Sequence, residues 1–201
     1  MDIRRPAPDD PLQRFLALLE KARANKQIVE PTAMTLATVD ASGRPSARLV
    51  LLKDADEDGL VFYTNLDSRK GREALARPDV ALVFWWGPLE SQVRFEGRAE
   101  RVSDEEADAY FATRARGSQL GAWASAQSRP LASRGELEAK LAEATEKFEG
   151  MPVPRPPHWS GLRVRPLSIE FWRSRPNRLH ERELYTREKP GAPWSVQLLN
   201  P

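Results

Sequence analysis

Four cations in the stretch Arg48 to Lys70, RLVLLKDADEDGLVFYTNLDSRK, have a spacing that suits an anion. Arg48 and Lys53 bracket the apolar run Leu49, Val50, Leu51 and Leu52, whose alternate side chains point to opposite faces of a strand. Residues 54–58, DADED, read as a turn, and residues 60–63, LVFY, as a second strand ending at Thr64-Asn65. Asp67 or Ser68 then caps a helix whose first turn carries Arg69 and Lys70. A helix start presents unpaired N–H groups and disfavours cations, so two cations there suit a bound phosphate. The same pair also fits a solvated surface, and the residue types alone leave both readings open.

A second group is RLHER at 178–182, where a strand would put Arg178, His180 and Arg182 on one face. Two guanidiniums flanking an imidazole form either an anion-binding row with an acid–base group or a polar edge facing water. Tyr110 and Arg114 stand four apart on a helix, so ring and guanidinium share a face. Gln92 alternates with apolar residues in SQVRFEGRAERV, where its amide can meet a ligand or water.

These residues need a scaffold. Asp10-Pro11-Leu12-Gln13 opens a helix with Leu12, Phe15, Leu16, Leu19 and Ala22 on one face. Glu30-Pro31 precedes a strand at 34–39, and Pro78 ends the helix over 68–77. The run VALVFWW (80–86) reads as a strand covered on both faces. Ser103 and Ser133 open two more helices, the second burying Leu137, Leu141, Ala144 and Phe148, with a short helix over 118–123 between them. Strands return at 161–166, 168–172, 179–188 and 194–199. Roughly eight strands, early and late, with four or five helices between them, predict an α+β fold built on an antiparallel sheet or barrel. Residues 1–10 read as a mobile arm ahead of a single domain over 11–201.

The chain has 31 basic and 29 acidic side chains, and a net charge of +2 gives no general attraction to nucleic acid. It has no cysteine and two histidines, which excludes disulfides, thiol catalysis and zinc–thiolate sites and disfavours a histidine metal centre. No apolar run has transmembrane length, and the opening MDIRRPAPDD lacks a signal-peptide pattern. A cytoplasmic protein is expected. With neither a Walker A nor a GxGxxG pattern, side chains and helix ends must hold any phosphate.

Taken together, EPTAM-LATV, PSARLVLLK, VFYTNLDSRK, ESQVR-EG-AERV, YF-TR-R-SQLGAWAS-QS, IEFW and RLHER resemble the pyridoxine (pyridoxamine) 5′-phosphate oxidase family. Their order runs from about Pro11 to Pro201. The resemblance implies an FMN-binding split β-barrel and a homodimer with FMN at the subunit interface. It assigns the flavin to residues 48–53 with Tyr63, Thr64, Arg69, Lys70, Gln92, Trp172 and Arg182, and to Gln127 and Ser128 of the partner subunit. It gives the substrate phosphate to Lys53, Tyr110, Arg114 and Ser118, and sets Arg178 and His180 over the substrate ring as the catalytic pair. The implied reaction oxidises C4′ of pyridoxine or pyridoxamine 5′-phosphate to pyridoxal 5′-phosphate, with O₂ as acceptor and H₂O₂ as product.

Two departures stand out. Leu198-Leu199-Asn200-Pro201 replaces the family's Arg-Leu-x-Pro, and neither Arg4 nor Arg5 matches an Arg-x-x-Tyr lid motif. The alternatives are a related FMN oxidase acting on another ring, such as a phenazine precursor, and a non-catalytic FMN- or pyridoxal-phosphate-binding protein.

Overall fold

The computed structural model describes residues 10–201, so all but the last residue of the expected arm, including Arg4 and Arg5, lie outside the described residues. Among them are nine strands and five α-helices. The strands form one antiparallel sheet in the order β2-β1-β5-β6-β7-β4-β3, and β8 and β9 extend it from β7.

Helix α1 (Pro11–Ala24) starts where Asp10 accepts the Leu12 N–H at 2.9 Å, with proline at its first position. Leu12, Phe15, Leu19 and Ala22 go into the core, and the Phe15 ring lies within 5.0 Å of Phe84 and 4.9 Å of Phe95. The helix therefore closes the inner face of the sheet with aromatic contacts worth about 0.5–1.5 kcal/mol each beyond burial.

Strands β1 (Ala33–Val39) and β2 (Pro45–Leu51) pair with each other, and β3 (Asp54–Asp56) pairs with β4 (Gly59–Asn65). Two expectations change here. Three of the five residues of DADED are strand rather than turn, and the strand after Arg48 does not form a hairpin with residues 60–63. The chain instead crosses between the two ends of the sheet, where the Leu52 N–H donates to Thr32 O at 2.9 Å and the Lys53 N–H to Val61 O at 2.8 Å. That seam curls the sheet into a half-barrel and sets Lys53 beside β4.

Helix α2 (Arg69–Ala76) is capped by Ser68, whose Oγ accepts from the Gly71 N–H. Strand β5 (Asp79–Trp86) alternates rather than being covered on both faces: Val80, Leu82, Phe84 and Trp86 are buried, while Trp85 is 57% exposed. Strand β6 (Ser91–Arg101) runs between β5 and β7, and an added Cβ on its Gly97 would stand 2.2 Å from Arg165 O. Residues 161–166 and 168–172 are not two strands but parts of β7 (Trp159–Arg173), which passes through Pro166 by a bulge at Leu167, the residue without a β6 partner where Glu96 pairs with Ser168 and Gly97 with Pro166.

Helices α3 (Asp104–Thr113), α4 (Arg116–Ala124) and α5 (Arg134–Lys147) form a second layer around Phe111, Leu120, Ala144, Phe148 and Trp159. Leu141 is exposed and Leu137 half-buried, contrary to expectation, because α5 packs only one narrow face against α4. Strand β8 (Glu181–Thr186) is shorter than expected and is followed by β9 (Ser195–Leu198). No described helix is long and apolar enough to cross a membrane.

Candidate functional site

The expected residues fall into two groups. The first lines a cleft of about 500 Å³ that includes Leu49, Val50, Leu51, Lys53, Tyr63, Thr64, Lys70, Tyr110, Arg114, Ser118 and Gln127. Strand β2 and the seam bring in the first four, β4 brings in Tyr63 and Thr64, and α3 and α4 close the opposite wall. Leu52 packs into the core behind them. The floor is aromatic: the rings of Tyr63 and Tyr110 stack at 3.9 Å, and Tyr63 lies 5.2 Å from Trp159. Gly161, paired with Tyr63 across β4 and β7, makes room for that ring, since a Cβ there would come within 2.8 Å of it. Burial pushes the Tyr63 phenol up to about 12, so it stays a neutral hydroxyl at physiological pH.

The cations of this cleft are preset. Burial, followed by the charge of Arg48, lowers the Lys70 pKa, and Lys70 Nζ donates to Gln127 Oε1 at 2.9 Å. Burial lowers the Arg114 pKa as well. Its guanidinium sits 4.7 Å over the Trp159 ring, and its buried Nη1 has no hydrogen-bond partner among the described residues. An orphaned, buried cationic donor facing a cleft fits an incoming phosphate oxygen. Arg114 ends α3 in extended conformation, so it meets Tyr110 in the cleft rather than along a helix face.

Arg48 and Arg69 stand behind Lys70 around a carboxylate that the sequence analysis overlooked. Glu73 is 7% exposed and accepts from Thr38 at 2.5 Å, Ser46 at 2.6 Å and Arg69 Nε at 2.7 Å, with Arg48 Nη2 at 3.3 Å. Burial opposes its ionisation, but the bonds from Ser46, Thr38 and Arg69 prevail and hold it at about 2. The i,i+4 spacing from Arg69 was the available signal. Arg48 also donates to Leu36 O and to Thr38 and Ser46, so its guanidinium is locked into the web of β1, β2 and α2.

The second group lies across β6, β7 and β8. Gln92 pairs directly with Trp172, and Trp172 with Arg182, so the three side chains form a row on the outer sheet face. Trp85 is the next residue in that row, opposite Gln92. A second overlooked carboxylate, buried Glu170, accepts from Arg182 Nε at 2.7 Å and from Arg94 at 3.2 Å.

Arg178 and His180 do not join Arg182 on one strand face, because residues 176–178 turn sharply and β8 begins only at Glu181. His180 instead leans on Trp172, with ring centroids 4.5 Å apart, and its Nδ1 accepts from the Arg175 N–H at 3.2 Å. Gln127 stands against Lys70 and Thr64 of its own chain, and Ser128 occupies an exposed left-handed turn beside it.

A family model described as pyridoxamine 5′-phosphate oxidase matches residues 19–148, and one for the pyridoxine 5′-phosphate oxidase C-terminal dimerisation region matches 159–201. The chain belongs to the pyridoxine/pyridoxamine 5′-phosphate oxidase family. It is similar to the pyridoxine/pyridoxamine 5′-phosphate oxidase of Myxococcus xanthus (strain DK1622), 61% identical over 194 residues covering 96% of this chain and 93% of that one. The oxidase of Rubrobacter xylanophilus is 61% identical over 97% of this chain and 88% of its own length. Among solved structures, PhzG from Burkholderia lata 383 in complex with tetrahydrophenazine-1-carboxylic acid superposes with a TM-score of 0.86 at 33% identity, over 100% of this chain and 99% of that one. The expected split barrel is therefore the observed fold. As a member of this oxidase family, the chain takes FMN, and the cleft's cations, aromatic floor and orphaned guanidinium donor fit a phosphorylated, ring-bearing cofactor and substrate.

Proposed function

We infer that this oxidase converts pyridoxine 5′-phosphate and pyridoxamine 5′-phosphate to pyridoxal 5′-phosphate, with O₂ as acceptor and H₂O₂ as product. One observation carries the reading. Lys53, Tyr110, Arg114 and Ser118 converge in a single cleft, in a chain 61% identical to a B6-phosphate oxidase over nearly its whole length. The phenazine reading has one observation behind it, the PhzG likeness, at a lower identity of 33%.

Bound FMN would supply the two-electron redox chemistry between substrate and O₂; the protein binds and orients. Arg69 and Lys70 at the start of α2 take the flavin phosphate, with Arg48 adding charge from behind. Lys53, Arg114, Tyr110 and Ser118 grip the substrate phosphate. Arg178 and His180 position C4′, and His180, with Nδ1 already an acceptor, carries its neutral-form proton on Nε2.

The two groups belong to different subunits of one site. Tyr63 of the cleft pairs with Gly161 near the start of β7, whereas Trp172 lies eleven residues further along that strand, on the order of 35 Å away at the rise of a β-strand, which is too far for both groups to hold one flavin within a single chain. Leu49, Leu51 and Trp85 leave apolar surface exposed on the same sheet face as Trp172. Burying this surface in a two-fold dimer brings the partner's Gln92, Trp172 and Arg182 over the cleft. Gln127 then acts with its own chain's Lys70, the reverse of what the resemblance implied. The cytoplasm is the expected compartment, to be checked by fractionating cells that carry the tagged chain.

Anaerobic mixing of the FMN-loaded protein with pyridoxine 5′-phosphate tests the function. Bleaching of the oxidised flavin band, reversed by air with peroxide release, is expected. A flavin that stays oxidised would overturn the substrate.

A further inference from the structure

The turn ahead of β8 has a backbone that its sequence does not favour. The Leu179 N–H donates to Pro176 O at 3.2 Å, and both central residues are left-handed, Asn177 at φ 58° and Arg178 at φ 61°. That is a type I′ turn, whose first central position suits asparagine and whose second suits glycine. Here the second holds Arg178, a side chain that seldom adopts positive φ. The turn is fixed at both ends. Arg175 pairs with Glu181 at 2.8 and 2.7 Å through two nitrogens, and the Ser174 N–H donates to Glu90 O at 2.9 Å. Arg178 is exposed, and its guanidinium has no partner among the described residues.

We propose that Asn177 is a positioning residue: its left-handed backbone holds Arg178 in an otherwise disfavoured conformation and so aims Arg178 and His180 at the reacting carbon. Strain of this kind persists only where the surroundings over-determine it, and here it falls on the residue that has no structural partner. The same turn sets the path of Leu179 and so the seat of His180 against Trp172. Asn177 is exposed and makes no side-chain hydrogen bond among the described residues, so its contribution lies in its tolerance of positive φ. The proposal rests on Arg178 and His180 being the pair that acts on the substrate.

The test is steady-state kinetics of the FMN-loaded enzyme carrying Asn177→Gly, Asn177→Ala or Asn177→Val, beside Arg178→Ala and His180→Ala. Expected is a kcat order of Gly close to wild type, then Ala, then Val, with Val lower by roughly 10–100-fold. KM for pyridoxine 5′-phosphate and FMN content should hold steady, because the phosphate grips lie on other elements. Full activity in the Val variant, while Arg178→Ala and His180→Ala lose turnover, would overturn the proposal alone. A Gly variant as impaired as Val would also overturn it, by showing that the amide side chain matters rather than the backbone. Unchanged turnover in Arg178→Ala and His180→Ala would instead remove the reading beneath it.

Discussion

Glu73 holds Arg69 by its Nε edge at 2.7 Å, which leaves both terminal guanidinium nitrogens of Arg69 without a partner among the described residues. The carboxylate thus spends one edge of the guanidinium on orientation and leaves the fork for an anion. Because Glu73 is held at about 2, below its unfolded value near 4.5, its contribution is fully present above pH 4.5 and fades as pH falls towards 2. Glu73→Gln should cost about 2–3 kcal/mol at pH 7. It should also flatten the loss of stability between pH 4.5 and 2 relative to wild type, read as the difference between two Tm-against-pH curves.

Removing a phosphate-binding cation should be visible in flavin choice. Lys70→Met is expected to weaken FMN binding by roughly 10–100-fold while leaving riboflavin binding nearly unchanged, since a charge-assisted bond is worth about 1.5–3 kcal/mol. Flavin fluorescence titration of the apoprotein reads both constants. Equal losses for the two flavins would mean that Lys70 supports the fold of the cleft and not the phosphate.

Arg114 is already desolvated, so little further solvation is lost when it meets a phosphate. Arg114→Met should raise KM for pyridoxine 5′-phosphate by about 10–100-fold with FMN retained. An unchanged KM would place the substrate phosphate elsewhere.

A site divided between subunits predicts complementation. Chains carrying Lys70→Met and chains carrying Arg182→Ala should each be nearly inactive as homodimers. Unfolded together and refolded as a mixture, they should regain about a quarter of wild-type activity, because half of the dimers then contain one unaltered site. No recovery would argue for a site contained in one chain. In the same vein, Trp85→Arg should shift the protein to monomer in size-exclusion chromatography and release FMN.

Much of this protein can be read from its sequence, because helix caps, apolar alternation and turn residues act locally. Asp10, Ser68, Ser103 and Ser133 each cap the helix their side chains announce. The alternation around Gln92 likewise puts it on a half-exposed face, and the family motifs name the cleft residues. Other features depend on contacts between segments distant in the chain. Residues 161–172 are one strand because a bulge at Leu167, opposite Glu96 and Gly97 of β6, accommodates Pro166, and nothing local to Pro166 reveals that pairing. The expected hairpin after Arg48 gives way to a seam because β2 finds β1 first and meets β4 only where the sheet curls. Glu73 and Glu170 looked like ordinary acids until tertiary packing buried each between two arginines. The sequence by itself determined which side chains are present and most of the elements that carry them. Only the tertiary structure decided which of them share a cavity, since strand order and sheet curvature gather Lys70 and Arg114 into one cleft and leave Gln92, Trp172 and Arg182 in a row elsewhere on the sheet.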